Sequence, residues 1–351
     1  HPVRGAGAKN PSNSEISEYL NILLDYGFRL LRLYDSGEYS AAVLQLIREN
    51  ELPLKVLLGS WLDAEVSNHE GCPWLSEPIP AEKLASNTRK NVQEIARSIA
   101  LANRYPEIVV AVNVGNEALV DWTDHMVSVE SVIDYIRQVK DAVSQPVTVA
   151  DNYLWWAEDG QELAREVDFL GVHTYPQWER KGIDQALGYT VDNIERVRAA
   201  IPDKPIVILE AGWATTAVEF PATANANNQQ RYFVELKDWA AQTNTTVLFF
   251  EAFDEPWKGN PNAPEGAEKH WGLFKLDRSP KRAMRKQAPT LYDPHAVAWA
   301  VNVGGGDYRG LDSVDYAADE SIFGGKRGEL EAVDGTQQER IYQSYRIGQL
   351  Q

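Results

Sequence analysis

The stretch EIVVAVNVGNE (Glu107–Glu117) sets the pattern on which the fold prediction rests. Its apolar, largely β-branched residues run almost without interruption, which is typical of a strand buried on both faces of a parallel sheet. Further runs of this kind lie before and after it, each separated from the next by a helical pattern. They are FRLLRLYDS (Phe28–Ser36), LPLKVLLGSW (Leu52–Trp61), PVTVADNY (Pro146–Tyr153), VDFLGVHTYP (Val167–Pro176), KPIVILEAGW (Lys204–Trp213) and TVLFFEAFDEPW (Thr246–Trp257).

The segments between these runs predict helices. The clearest are Glu82–Arg104, Ser128–Val143, Ile183–Ala200 and Asn227–Gln242. Ser12 and Glu15 have the spacing of a capping box, which predicts another helix ahead of the first run. Alternating strands and helices indicate either a (β/α)₈ TIM barrel or an open doubly wound sheet. The open sheet usually binds a nucleotide on a glycine-rich first turn, and no such motif follows any run. The sequence therefore favours the α/β barrel, with a first strand expected upstream of His1.

Composition limits the function before any motif is considered. A barrel of about 250 residues plus a smaller companion accounts for the 351 residues. The net charge of −17 argues against nucleic acid as a partner, because few cations are available to neutralise phosphates. No apolar run approaches the roughly 18 residues that would predict a membrane span. The single cysteine, Cys72, excludes a disulfide framework and a cysteine-based metal site.

Polar and aromatic side chains follow the predicted strands at the end where barrel active sites are built. Carboxylates, amides and aromatic rings at so many strand ends together predict a binding site. The chain also has 11 tryptophans and 15 tyrosines, and aromatic rings stack well on the flat apolar faces of sugars. The residues at these strand ends are Tyr34, Asp35, Trp61, Asn116, Glu117, Asp151, Asn152, His173, Tyr175, Glu210, Trp213, Glu251, Glu255 and Trp257.

Glu117 and Glu210 interrupt strands that are otherwise apolar. Burying a carboxylate among Val and Ile costs several kcal/mol unless the group is paired or used, so these two are the best catalytic candidates. Two carboxylates facing each other suit the cleavage of a glycosidic bond, in which one protonates the leaving oxygen and the other attacks the anomeric carbon or activates water. Asn116 could hydrogen-bond a sugar 2-hydroxyl.

Other chemistries have weaker signals. The chain has no G-x-S-x-G elbow and no H-E-x-x-H motif, which disfavours an α/β-hydrolase and a zinc protease. His173 is interpreted as a hydrogen-bonding residue at a strand end rather than a metal ligand. Divalent metal binding by Asp35, Asp151 and Glu251 stays open as an alternative, although the site is expected to need no metal or cofactor.

Three motifs carry a resemblance to a known family. VNVGNE (Val112–Glu117), ILEAGW (Ile208–Trp213) and the pair FFEAFDEPWK and EKHWGLF (Phe249–Lys258, Glu268–Phe274) resemble glycoside hydrolase family 17, in correct order over residues 10–277. The resemblance implies a (β/α)₈ barrel that acts on β-1,3-glucan with net retention. It implies that Glu117 is the general acid/base and Glu210 the nucleophile. Ala214 stands where plant members usually carry proline, which favours the bacterial or fungal-like members.

The resemblance also implies roles in substrate binding. It assigns subsite contacts to Glu255, Lys258 and Glu268, a contact with the nucleophile to Tyr175, and a place in the cleft to Tyr34. Among the tryptophans, Trp213 and Trp257 are expected nearest the cleavage point, and Trp155 and Trp156 further along the cleft. Trp61, Trp178 and Trp271 are also expected at strand ends or loops of the site, and Trp239 and Trp299 in the core.

Residues 1–285 are predicted to form the barrel and 286–295 a linker. From residue 296 to 351 the sequence, including AWAVNVGGGDYRG (Ala298–Gly310), resembles the opening of a malectin-like carbohydrate-binding β-sandwich, truncated at Gln351. The alternative is an extension packed on the barrel.

We therefore expect a monomeric, secreted or periplasmic enzyme that hydrolyses β-1,3-glucan with retention. One alternative is a β-1,3-glucanosyltransferase of the same family, and another is a glucan-binding protein that lacks catalysis.

Overall fold

The computed structural model describes residues 10–285 and five short stretches beyond them: 301–302, 307–309, 315–318, 324–329 and 344–350. The chain divides into two compact units, residues 1–284 and residues 285–351.

The first unit contains a parallel sheet of seven strands whose order in the sheet is their order in the sequence. The first and last strands, β1 and β7, approach each other without pairing, so the sheet forms a nearly closed barrel of the predicted (β/α) type. That an eighth strand precedes His1 stays a prediction. The strands are β1 (Leu30–Leu33), β2 (Lys55–Ser60), β3 (Val109–Asn116), β4 (Val147–Asn152), β5 (Leu170–His173), β6 (Ile206–Gly212) and β7 (Val247–Phe250).

The four helices whose bounds the sequence predicts have ends within one residue of the expected positions. The capping box forms at the first helix, since Ser12 Oγ accepts from the Glu15 N–H and the Glu15 carboxylate accepts from the Ser12 N–H. The helices are α1 (Asn13–Asp25), α2 (Glu38–Glu49), α3 (Ala81–Arg104), α4 (Val129–Ala142), α5 (Tyr153–Glu158), α6 (Gln161–Ala164), α7 (Ile183–Ala200) and α8 (Ala226–Thr243).

Burial on both faces of the strands explains their unbroken apolar sequences. The residues of one face, such as Val56, Val112 and Ile208, pack with the helices in the main core. The alternate residues Leu57, Ala111, Ala150 and Leu209 form a separate buried cluster that fills the inside of the barrel. The barrel interior beneath the strand ends is therefore packed with side chains.

In the second unit, short strands are described by themselves. β8 (Val301–Asn302), β9 (Tyr308–Arg309) and β10 (Asp315–Ala318) form a small sheet in the order β8-β10-β9. β11 (Gly324–Glu329) pairs antiparallel with β12 (Ser344–Leu350). The linker prediction for 286–295 and the core prediction for Trp299 lie outside the described residues, and the malectin-like assignment stays a prediction.

In the described part of the chain, none of the helices combines the length and the apolar character that crossing a membrane requires.

Candidate active site

The end of β3 is shaped to present Glu117. The pairing of β3 with β4 shifts register between Asn113 and Asn116, and Gly115 and Glu117 both have positive φ, at 83° and 48°. Such a conformation is easy for glycine and uncommon for glutamate, so the backbone here is held by its surroundings. The Glu117 N–H donates to the Ala150 carbonyl of β4, at 2.8 Å. A bulge of this kind re-aims a side chain at a strand end.

Glu210 lies near the end of β6 at a similar irregularity. The ladder between β6 and β7 shifts between Ile208 and Ala211, and the ladder between β5 and β6 shifts between Val172 and His173. The two glutamates thus belong to strands separated by β4 and β5 in the sheet, yet both stand at the carboxyl-terminal rim of the barrel.

The two carboxylates face each other across a short gap. One oxygen of Glu117, one oxygen of Glu210 and a ring nitrogen of His173 all lie within 4.8 Å of one another. His173 is buried and bridges the pair, with Nδ1 2.9 Å from Glu117 Oε1 and Nε2 3.5 Å from Glu210 Oε1. This is the hydrogen-bonding position that the sequence predicts for His173.

Glu210 is almost enclosed by donors, and its side chain is only 7% exposed. Oε1 accepts from Arg32 Nη1 at 2.7 Å and from the Tyr34 hydroxyl at 2.8 Å, while Oε2 accepts from the Tyr175 hydroxyl at 2.5 Å. Burial by itself raises the pKa of Glu210, but His173, Arg32 and the two hydroxyls outweigh it and lower the pKa to about 2. Glu210 is therefore held as a carboxylate.

Glu117 is in a more open setting. Its side chain is 29% exposed, and its described hydrogen-bond donor is His173 Nδ1. Beside it, Asn116 Oδ1 accepts from Arg32 Nη2 at 2.5 Å, which fixes the orientation of the amide. Arg32 thus contacts the groups on both sides of the gap.

The ends of β7 and its loop bring a third group of charges to the rim. Lys258 Nζ lies 2.6 Å from Glu251 Oε2 and 2.7 Å from Glu255 Oε2. Glu268 is half-buried in the same region, and its pKa is raised by burial and further by the charges of Glu117 and Glu210. The residues that the resemblance assigns to substrate contacts therefore gather near the glutamate pair.

Several tryptophans are not where the sequence reasoning puts them. Trp213 is fully buried, packs against Tyr232 and donates its indole N–H to the Thr223 carbonyl, so the prediction that it stacks on substrate is wrong. Trp156 and Trp271 are also fully buried and belong to the core. The Trp156 indole donates to the Gly171 carbonyl at 2.9 Å, and the Trp271 ring packs against Tyr175 and Phe250, with centroids 5.2 and 6.2 Å away.

Trp257 is half-buried, with Lys258 Nζ 5.6 Å from its ring centroid. Trp61 is half-buried and stacks on His125. Trp155 is partly buried against the core, as is Trp239, and Trp178 is exposed.

The prediction that Asp151 binds substrate is wrong. Asp151 is fully buried, and its carboxylate accepts from the backbone N–H groups of Leu119 and Asn152, so it supports the loop that carries Glu117 and does not face substrate.

Two other predicted contacts have local structural partners. Asn152 caps α5 through the Leu154 N–H. Asp35 Oδ1 accepts from the Gly37 N–H and from Ser40 Oγ at the start of α2.

Arg32 is a functional residue that sequence reasoning missed. It carries the same signal as the two glutamates, a charge inside the otherwise apolar run FRLLRLYDS, and its side chain is only 4% exposed. A buried arginine is expected to pair with an acid, so this charge could have marked Arg32 as a site residue, although it does not identify Glu210 as the partner.

The donor set fits proton chemistry better than a metal ion. Glu117, His173 and Glu210 are close enough to surround a cation, but both Glu210 oxygens already accept from cationic or hydroxyl donors. An ion there would lie against the Arg32 guanidinium. The alternative set of Asp35, Asp151 and Glu251 does not form a site, since Asp151 is bound to backbone amides and Glu251 to Lys258.

Carboxylates at this separation on the rim of a (β/α) barrel define the class, a glycoside hydrolase of the barrel type. The chain belongs to the family described as the BtgE/BtgC glycoside hydrolase domain, whose model matches residues 2–272. The predicted hydrolase class is confirmed at that level.

Curated relatives and solved structures agree with this family assignment. A glucan 1,3-beta-glucosidase from Arthroderma benhamiae is 26% identical over 269 residues, which are 72% of this chain and 78% of that protein. An endo-laminarinase from Formosa Hel1_33_131 is 27% identical, with a TM-score of 0.69 over 78% of this chain and 81% of that one. A glycoside hydrolase family 17 beta-1,3-glucanosyltransferase from Rhizomucor miehei is 26% identical, with a TM-score of 0.61 over 78% and 91%. The matched part is 40% of a longer relative from Aspergillus niger.

Proposed function

We propose that this protein cleaves β-1,3-glucan by a retaining double displacement, with Glu210 as nucleophile and Glu117 as general acid/base. The observation that carries the proposal is the short separation of the two carboxylates together with the ionised state of Glu210. Retaining enzymes place their carboxyl groups about 5–5.5 Å apart, whereas inverting enzymes leave roughly 6.5–9.5 Å for a water molecule. The 4.8 Å limit on the nearest atoms supports retention. β-1,3-Glucan is the substrate because the three relatives above are named for it.

In the first step, Glu210 attacks the anomeric carbon as the bond from that carbon to the leaving oxygen breaks. Glu117 gives its proton to the leaving oxygen, so the departing sugar is neutral and a covalent glycosyl-enzyme remains. Glu117 Oε1 accepts from His173, so the transferred proton is carried by Oε2. Oε2 of Glu210, with Tyr175 as its described donor, is the attacking oxygen, while Arg32 and Tyr34 hold Oε1.

In the second step, Glu117 removes a proton from an incoming water as that water attacks the anomeric carbon. The bond to Glu210 breaks, and Glu210 leaves as the carboxylate that its hydrogen bonds stabilise. Asn116 assists in both steps, because Arg32 holds its Oδ1 and leaves its Nδ2 to donate to the sugar 2-hydroxyl. Glu255, Lys258, Glu268 and Trp257 complete the substrate contacts.

Transfer to a sugar hydroxyl in place of water is the second candidate, favoured by the likeness to the Rhizomucor glucanosyltransferase. Both reactions use the same first step, so they differ only in the acceptor. A glucan-binding protein without catalysis is disfavoured by the presence of both glutamates in the described geometry.

Incubation with laminari-oligosaccharides of one length, followed by proton NMR and mass analysis, tests these proposals. We expect the first product to form as the β-anomer, and products longer than the substrate to appear only if transfer competes with hydrolysis. An α-anomer as first product would refute retention, and no cleavage of any β-1,3-linked substrate would refute the function.

The remaining proposals concern the setting. A polysaccharide does not cross a membrane, so we propose that the enzyme acts outside the cytoplasm. We also propose a monomer, which light scattering at working concentration tests.

A further inference from the structure

The loop that follows β2 carries a tryptophan in an unusual place. Trp74 is 63% exposed, more than any other large hydrophobic side chain in the described part of the chain. A single exposed apolar side chain is common at a protein surface, so the groups around the Trp74 ring decide whether it marks a binding site.

The Trp74 ring is held. Its indole hydrogen-bonds the Asp124 carboxylate, whose Oδ1 lies 2.8 Å from Nδ1 of His125. The His125 ring in turn stacks on Trp61, with centroids 4.6 Å apart and planes inclined by 31°. We call this group, Trp61, Trp74, Asp124 and His125, the Trp74 platform.

The platform rests on two loops that are fastened together. Asn68, on the loop after β2, donates through Nδ2 to the carbonyls of Asp121 and Thr123 on the loop after β3. The Glu65 N–H donates to the Met126 carbonyl in the same way. Both loops therefore present one continuous surface, and little conformational freedom is lost when a ligand binds it.

The platform is also joined to the catalytic strand. His125 Nε2 donates to the backbone carbonyl of Asn116 at 2.8 Å, and Asn116 directly precedes Glu117. The surface thus begins one residue from the catalytic acid and leads outward over the loops after β2 and β3.

We propose that the Trp74 platform is an outer binding subsite for glucosyl units of a β-1,3-glucan chain, which stack on the Trp74 indole while Asp124 accepts a sugar hydroxyl. This inference rests on the proposed function, because it extends the same substrate beyond the cleavage point. Rigid aromatic rings with a neighbouring hydrogen-bond acceptor suit a neutral sugar, which offers an apolar face and hydroxyl donors. The platform makes the enzyme prefer longer chains.

The test compares substrates of different length on single variants. Trp74→Ala should lower kcat/KM for laminariheptaose about five- to tenfold, mainly through KM, with a smaller loss for laminaritriose. Trp74→Phe keeps a ring face and should recover most of the loss. Trp122→Ala, which removes a 37% exposed tryptophan from the neighbouring loop, should not alter the dependence on chain length.

A binding measurement separates this proposal from the proposed function. On a Glu210→Gln background, Trp74→Ala should weaken the calorimetric affinity for laminariheptaose about fivefold or more. An equal loss for short and long substrates, or no loss in either assay, would overturn the platform even if the wild type cleaves glucan. A wild type that cleaves no β-1,3-glucan would instead overturn the proposed function. Thermal unfolding of each variant identifies any effect that comes from misfolding.

Discussion

The ends of β3 and β6 carry the same residue type in opposite surroundings. At β6, Glu210 is nearly buried and accepts hydrogen bonds from Arg32, Tyr34 and Tyr175, which hold it as a carboxylate. At β3, Glu117 is four times as exposed, 29% against 7%, and its described donor is His173. The carboxylate that attacks the anomeric carbon is held ionised by its donors. The carboxyl group that gives and takes a proton is left more exposed. The comparison teaches that the environment, and not the residue, assigns the two roles.

The largest expected effect concerns Glu210. Glu210→Gln keeps the shape and can still accept from Arg32 and Tyr34, so the fold should survive. An amide cannot serve as the nucleophile, so kcat/KM on laminarin should fall by roughly 10⁴-fold or more. Steady-state kinetics and circular dichroism on one sample check the loss of turnover and the retained fold. Near wild-type turnover would break the contrast between the two glutamates.

Glu117→Gln should cost less and should depend on the leaving group. General acid catalysis contributes typically about 10²–10⁴-fold, so kcat/KM on laminarin should fall within that range. The phenolate of an aryl glycoside with an acidic phenol leaves without being protonated by residue 117. The rate of formation of the glycosyl-enzyme should therefore be nearly normal with that substrate. Pre-steady-state release of the phenol measures this step. A loss as large as on laminarin would count against the acid role.

Tyr175→Phe sharpens the account of how Glu210 stays ionised. Removing the hydroxyl takes away a donor to Oε2, which raises the pKa of Glu210 from about 2. The nucleophile must be deprotonated, so the acidic limb of the pH profile of kcat/KM should move to higher pH. The same hydrogen bond stabilises Glu210 as it leaves as a carboxylate in the second step, and a hydrogen bond to a charged group is worth about 1.5–3 kcal/mol, so kcat near neutral pH should fall about ten- to a hundredfold. Tyr34→Phe is the matched control, with a smaller shift expected because Arg32 still serves Oε1. An unmoved acidic limb in both variants would contradict this account.

The smallest effect separates a rim tryptophan from a core tryptophan. Trp257→Ala should lower kcat/KM on laminarin about tenfold with little change in Tm, since roughly 1.4 kcal/mol of lost binding is a factor of ten. Trp213→Ala should lower Tm and leave the kcat/KM of the folded enzyme nearly unchanged. Trp213 is fully buried, and large-to-small changes in a core cost about 3–5 kcal/mol. Thermal unfolding and kinetics on both variants decide. If Trp257→Ala is destabilised but fully competent, Trp257 belongs to the packing.

Much of this molecule could be predicted from the sequence because buried parallel strands leave a strong signal. The seven strands, the helices and both glutamates follow from apolar runs and from the charges that interrupt them. The sequence does not show which way a side chain at a strand end points. Glu117 and Glu210 point into the site because the ladders shift register beside them, and no residue pattern encodes those shifts. Trp213 and Asp151, which the sequence places in the binding site, lie buried instead of facing the substrate.

Arg32 shows the opposite failure. Its charge in an apolar run was as visible as those of the glutamates, but only the closing of the sheet brings β1 against Glu210 of β6. Contacts between distant parts of the chain, such as this one, need the tertiary structure.

The division of roles is tested most directly by azide rescue of two alanine variants. Azide fills the space left by either glutamate, and the anomer of the glycosyl azide reports which group is gone. We predict an α-glycosyl azide from Glu210→Ala, where azide replaces the nucleophile, and a β-glycosyl azide from Glu117→Ala, where it replaces water on the glycosyl-enzyme. With an aryl β-glucoside as substrate, NMR of the products distinguishes the two. The opposite pairing of anomer and variant would contradict the account.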